Sequence, residues 1–181
     1  MIAKLAPTPT VIDTARLRLR PFATGDERAL VKQLANRIVA QQLTYVPYPY
    51  RLTDAKAWIE DCLAHPPSRA DGCRFAIERR GSGDLLGGIT LLPHLLGHEL
   101  GYWLGKSQWR QGYATEAADA VLAFGVRELG IRRFVAFVFD GNAPSMRVLY
   151  KLGFGRVGVE TIERPGIGSQ TVYRHVRLVP Q

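Results

Sequence analysis

Between Ala15 and Phe22 apolar and polar residues alternate, with Leu17 and Leu19 on one side and Arg16, Arg18 and Arg20 on the other, the period of a half-buried strand. The period then lengthens. Thr24 and Glu27 have capping-box spacing, and Leu30, Leu34 and Ile38 follow at helical intervals, which predicts a helix from about Gly25 to Ile38. A second helix begins near Thr53, carries Ala55, Trp58, Ile59, Cys62 and Leu63 on its apolar face, and ends at Pro66 and Pro67. The intervening QQLTYVPYPYR holds Tyr45, Tyr48 and Tyr50 among prolines and reads as a loop. Cys73 to Arg80 and Leu85 to Leu92 read as strands joined through Gly81 to Asp84, and a third strand near His98 to Leu104 completes a meander. A helix follows from Tyr113 to about Leu129, with Ala117, Val121 and Leu122 inward and Gly130 at the left-handed C-terminal position. The run FVAFVF within Arg133 to Phe139 has the continuous apolar character of a strand covered on both faces. Asn142 and Pro144 open a last helix that Gly153 ends, and Phe154 to Glu160 and Gln170 to Val179 supply two further strands.

This order is mixed α/β, and 181 residues without an internal repeat or linker form one domain, residues 1–181, with a core of about 14–178. The opening MIAKLAPTPTVIDTARLRLRPF has no apolar stretch long enough for a signal core or a membrane span, so the chain reads as soluble and cytoplasmic. Cys62 and Cys73 are too few for a disulfide framework and read as core thiols. His94 and His98 lie four apart without a third ligand, so no metal is expected. A net charge of +8 would suit nucleic acid, an anionic surface or a polyphosphate ligand alike, but no aromatic-and-basic motif supports nucleic acid.

The segment GYWLGKSQWRQGYATEA narrows that choice. A strand gives way to a glycine-containing turn and then to a helix, whose unpaired N–H groups and positive dipole end suit a pyrophosphate, with Lys106 and Arg110 adding charge. The same residues also suit a plain strand-to-helix turn in which Gly112 relieves crowding. The Gly-Lys-Ser/Thr ending of a P-loop is missing, and GSGDLLGG lies between strands with no helix after it, which argues against a dinucleotide fingerprint.

About 30 residues later comes FVFDGNAPSMRVLYKLGF. The pair WRQGYA and NAPSMRVLYKLGF resembles, in order and separation, the two signature segments of the GNAT acetyltransferase superfamily, and the element order agrees from about Thr14 to Leu178. TARLRLRPF and GYWL followed by GYATEA look most like the branch containing ribosomal-protein alanine N-acetyltransferases; Trp109 departs from the Gln or Arg that many members carry there. The resemblance implies a GNAT fold, a mostly antiparallel mixed sheet of about seven strands flanked by about four helices, with a V-shaped splay between the fourth and fifth strands. It also implies an acetyl-CoA dependent N-acetyltransferase that acetylates a primary amine, on a small molecule or a protein N-terminus, in a ternary complex. A catalytically silent acyl-CoA binding module is the alternative, and self-association into a homodimer stays open.

By this resemblance Tyr102, Trp103 and Leu104 lie beside the pantetheine arm, Arg110, Gln111, Gly112, Tyr113, Ala114 and Thr115 meet the pyrophosphate, and Asn142 bonds the pantetheine. A backbone N–H of a bulged strand near Trp103 or Leu104 receives the thioester oxygen. Tyr150, eight residues after Asn142, matches the tyrosine that protonates the departing thiolate, although it also suits core packing. Ser145 is a second donor, or a capping residue. Glu99 is the best carboxylate for the base, or the partner in a cross-strand ion pair, with His98 in reserve. Glu116 stands in a first helical turn, where a carboxylate suits the dipole, and reads as structural.

Overall fold

The computed structural model describes residues 10–68, 71–164 and 167–180. The first nine residues of the opening segment therefore lie outside the described residues. One eight-stranded sheet runs in the order β1-β2-β3-β4-β5-β6-β8-β7, formed by Ile12–Asp13, Leu17–Pro21, Cys73–Arg79, Leu85–His94, Gly97–Leu104, Arg133–Phe139, Gly155–Arg164 and Gly168–Leu178 numbered β1 to β8 along the chain. Among the described residues five α-helices cover it: α1 Glu27–Leu34, α2 Arg37–Ala40, α3 Leu52–Ala64, α4 Tyr113–Arg127 and α5 Ala143–Lys151. The expected seven strands gain the two-residue β1, and the four helices become five.

The fifth helix arises because the helix read across Gly25 to Ile38 breaks. Asn36 takes an extended backbone conformation and its side chain accepts the Ile38 N–H at 3.0 Å, so α2 starts afresh and Ile38 faces solvent. Thr24 does not cap α1 either. Asp26 is the N-cap residue, and its carboxylate accepts the Ala23 N–H and binds Arg20, while Glu27 accepts the Gly25 N–H. On α3, Ala55, Ile59 and Cys62 are buried as expected, whereas Leu63 is exposed one step round the helix.

Each sheet face carries its own core. Leu17, Leu19, Phe75, Ile89, Leu91 and Phe134 pack beneath α4 and α5, and Phe22, Leu30, Ala55, Ile59 and Ala76 pack with α1 and α3 on the other face. β6 lies between β5 and β8 with Phe134, Val135, Ala136 and Val138 buried, as its unbroken apolar run requires. All strand pairs are antiparallel except β5 and β6, which pair in parallel at only His98–Phe134 and Glu99–Val135 before separating. That is the expected splay. No helix among the described residues is long and apolar enough to cross a membrane.

Glu116 ties the start of β2 to the first turn of α4. Its carboxylate accepts Thr14 Oγ1 at 2.6 Å, the Arg16 N–H at 2.9 Å and Arg16 Nε at 2.7 Å. Burial pushes this carboxyl upward, but the Thr14 and Arg16 hydrogen bonds outweigh burial and hold it below the ordinary range. Its stabilisation is therefore present above the ordinary carboxylate range and is lost as pH falls through the depressed value. Glu116→Gln is expected to cost about 2 kcal/mol near neutrality, the scale of hydrogen bonds to a charged group. Urea unfolding across pH should show that deficit shrinking on acidification; a pH-independent deficit would contradict the assignment.

Candidate active site

The first part of the site is the opening between the parted strands. Gly105 N–H donates to Leu86 O at 2.9 Å, which sets the alternation of the β4–β5 ladder. Glu99, Gly101 and Trp103 turn their main-chain groups toward β4, whereas Tyr102 and Leu104 turn theirs toward the gap. The register of β4 with β5 is continuous from Gly87–Leu104 to His94–Gly97, so the expected bulge near Trp103 or Leu104 is not there. A regular ladder with its far side unpaired provides gap-facing N–H groups without one. Of the two expected positions, Leu104 turns its N–H to the gap and Trp103 turns its own toward β4, and Tyr102 joins Leu104 on the gap side.

Side chains on the α4–α5 face close around this opening. Tyr102 Oη lies 2.9 Å from Ser145 Oγ and donates to Ser145 O at 3.3 Å, linking β5 to the first turn of α5. Asn142 Oδ1 accepts the Ser145 N–H at 3.1 Å as the N-cap, which leaves its amide N–H₂ for another partner. Burial pushes Tyr102 up to about 12, with the Ser145 hydrogen bond acting in the opposite sense, so the phenol stays protonated. Thus Tyr102, Asn142 and Ser145 come together. Tyr150 lies further along α5, half-exposed rather than in the core, with its ring 5.7 Å from that of His175.

The second part is the turn into α4. Arg110 has φ 62° and Gly112 φ 82°, so two left-handed residues bracket Gln111; Arg110 is the one non-glycine with positive φ among the described residues. Holding Arg110 there costs on the order of 1–2 kcal/mol. Gly112 is the N-cap of α4 and has no side chain to bond the following N–H groups, so the first-turn donors of Tyr113, Ala114 and Thr115 remain for an anion. Arg16 Nη1 donates to Gln111 O at 2.9 Å and its guanidinium lies 4.6 Å from the Tyr113 ring centroid, while Gln111 Nε2 donates to Ser107 O at 2.9 Å. The turn is built before any ligand arrives. Trp109, the departure from the family pattern, donates from Nε1 to Leu104 O at 2.8 Å and so joins this turn to the gap.

The opposite face carries Glu99. It stands at the last β5–β6 pair, and burial raises its carboxyl while nearby His94 lowers it, with burial dominant. No ion pair of Glu99 occurs among the described residues, against the cross-strand alternative. Trp103 shares this face and packs into the second core rather than toward α5, and His94 lies 5.3 Å from Phe137. His98 points into the first face with Nε2 buried and unpaired, away from Glu99. Tyr50 is buried, while Tyr45 and Tyr48 are exposed. Cys62 and Cys73 are buried and pushed up to about 12 by burial, which leaves them as thiols. Arg16 and Trp109 were missed as site-building residues because their partners are distant in sequence or on the main chain.

The family model described as an acetyltransferase (GNAT) domain matches residues 16–155. Among curated proteins, the uncharacterized N-acetyltransferase YoaA of Bacillus subtilis (strain 168) is 31% identical over 158 residues, covering 82% of this chain and 85% of the relative. A GNAT-family acetyltransferase from Bacillus anthracis superposes with a TM-score of 0.81 at 24% identity, covering 93% of this chain and 98% of that one. Mycobacterium smegmatis RimJ in complex with CoA-disulfide gives a TM-score of 0.77 at 21% identity, covering 96% and 90% respectively. The last two show likeness of fold.

Glu99 offers a test that needs no ligand. Because its folded value is raised, the folded state keeps a proton over a window above the ordinary carboxylate range where the unfolded chain has lost it. Stability is fully present below that window and falls as pH rises through it. Glu99→Gln should therefore be more stable than the parent at neutral pH, with the difference closing toward acid pH in thermal melts. A variant less stable at neutral pH would show that the carboxylate is held by favourable partners instead.

Proposed function

The chain belongs to the GNAT acetyltransferase family, and from that premise we propose that it transfers acetyl from acetyl-CoA directly to a primary amine, on a small molecule or a protein N-terminus. The observation that carries this reading is the two-pair contact of β5 with β6, which opens gap-facing donors beside an uncapped helix N-terminus. The turn from Arg110 to Thr115 holds the pyrophosphate through main-chain N–H groups, with Lys106 and Arg110 adding positive charge. Tyr102, Leu104 and the Asn142 amide line the pantetheine arm. Trp103, between Tyr102 and Leu104 on the same strand, turns its side chain to the other face.

Acetyl-CoA supplies the activated acyl group. Glu99 takes a proton from the incoming ammonium or amine, directly or through water, and its raised carboxyl value makes it a stronger base than a free carboxylate. The amine nitrogen forms the new C–N bond as the thioester oxygen gains negative charge, and the Tyr102 and Leu104 N–H groups stabilise that charge. Collapse breaks the C–S bond, and Tyr150 delivers a proton to the thiolate. Ser145 is a second reading for the acid, favoured by its 2.9 Å contact with Tyr102 at the gap. No covalent acyl-enzyme is required, and the two buried cysteines are poor nucleophiles.

An amine and peptide N-terminus panel, scored by thiol release and product mass, tests the reaction; cofactor binding without amine-dependent release would favour the silent binding module. Gly112→Val should weaken acetyl-CoA binding by about tenfold or more because a β-branched residue resists φ 82°, whereas Gly112→Asn, which tolerates that region, should retain most affinity. A Cβ there would meet only the Arg16 guanidinium at 3.3 Å, so backbone conformation rather than space decides the outcome. Equal calorimetric affinities for both variants would remove the turn from the binding site.

Tyr150→Phe should lower the single-turnover rate by about 10²-fold with little change in acetyl-CoA affinity, the signature of a lost general acid. Near-normal chemistry in Tyr150→Phe together with a comparable defect in Ser145→Ala would transfer the role to Ser145.

A further inference from the structure

Arg164 is 7% exposed at the end of β7, and among the described residues its side-chain hydrogen bonds all go to a segment more than 120 residues away. Nη1 donates to Gln41 O at 3.0 Å, and Nη2 donates to Leu43 O at 2.7 Å and to Ala40 O at 3.5 Å. Its guanidinium carbon also lies 4.8 Å from the centroid of Phe139, the last residue of β6. A buried guanidinium placed among carbonyls, with no carboxylate partner among the described residues, satisfies the C-terminal end of α2. It also fixes where that end lies.

The other end of the segment is fixed at the opposite lip of the gap. Gln33 on α1 donates to Leu85 O at 3.1 Å, and its side chain lies so close to Gly105 that a Cβ there would meet Gln33 Oε1. Gly105 directly follows β5, and Phe139 ends β6, so both anchors stand where the parted strands are farthest beyond their last pair. Residues 34–43 must therefore cross the gap from the β5 side to the β6 side. They do so on the face of α1 and Glu99, opposite the α5 face that holds Asn142 and Ser145. Val39 and Ala40 are buried within this crossing.

Resting on the proposed acetyl transfer, we infer that Arg164 is a positioning residue that fastens residues 40–43 as a strap over the acceptor side of the gap, shielding the thioester from water. Amines enter beneath or beside the strap, toward Glu99. If the strap loosens, water reaches the polarised carbonyl: water oxygen bonds to the acetyl carbon, the C–S bond breaks, and the water's protons leave one on the departing thiolate and one in solution with acetate. Exclusion of water is what a held cover contributes to a transfer reaction.

The test is thiol release from acetyl-CoA without any amine, for the parent, Arg164→Lys and Arg164→Met, with calorimetric acetyl-CoA binding and thermal melts for each. Methionine keeps a linear apolar stem but no donor, and lysine can reach a single carbonyl. Acceptor-independent hydrolysis should rise by about tenfold or more in Arg164→Met, with Arg164→Lys intermediate and acetyl-CoA affinity near the parent's. A purely structural role would lower the melting temperature and the bound fraction without raising hydrolysis per bound acetyl-CoA. Parent-like hydrolysis in either folded, cofactor-binding variant overturns the strap. If the parent itself does not bind acetyl-CoA, the functional reading fails instead.

Discussion

The two-residue parallel contact between β5 and β6 is the constraint around which the rest of this molecule is arranged. A sheet interrupted near its middle exposes main-chain donors and acceptors where a continuous ladder would pair them, and buried unpaired groups are costly. The surrounding elements answer this from different sides. Tyr102 reaches across to Ser145, Trp109 takes up the Leu104 carbonyl, and Arg164 carries a loop to the far lip. The gap is kept open by contacts around it, so its width is not left to the strands alone.

Positive charge is used more selectively than the net value of +8 suggests. Arg16 is consumed by Glu116 and Gln111, Arg20 by Asp26 and Glu78, and Arg79 by Gln108 and Tyr113. These cations organise strand and helix ends, while Lys106 and Arg110 remain exposed near the anion-suited turn. The pairs around Arg16 and Arg79 sit behind that turn, where they hold its shape and leave its main-chain N–H groups outward.

Most of the architecture was legible because it rests on local periodicity. The alternation of Leu17 and Leu19, the apolar run of β6 and the helix from Tyr113 each specify an element through residues that are neighbours in sequence. The break at Asn36 was hidden because Leu30, Leu34 and Ile38 keep a helical interval across it, and only the side-chain bond of Asn36 to Ile38 N–H shows that α2 starts again. The bulge was expected from family likeness, whereas the gap-facing donors arise from a regular strand whose partner departs. Asn142, Ser145 and Tyr102 could each be named from motifs, but their meeting depends on the packing of α5 against β5. Arg164 carried no local signal at all, since each of its acceptors is a carbonyl that every residue possesses.

The Trp109 indole has a consequence of a different kind. By holding the Leu104 carbonyl at 2.8 Å, it fixes the plane of the peptide that joins the last residue of β5 to Gly105. The same residue heads the turn into α4, so the anion-suited amides and the edge of the gap share one rigid frame across only a few covalent links. A phosphate docked on that frame would set the distance to the strand edge as a ruler does, and little solvent or backbone rearrangement would be needed when charge develops there.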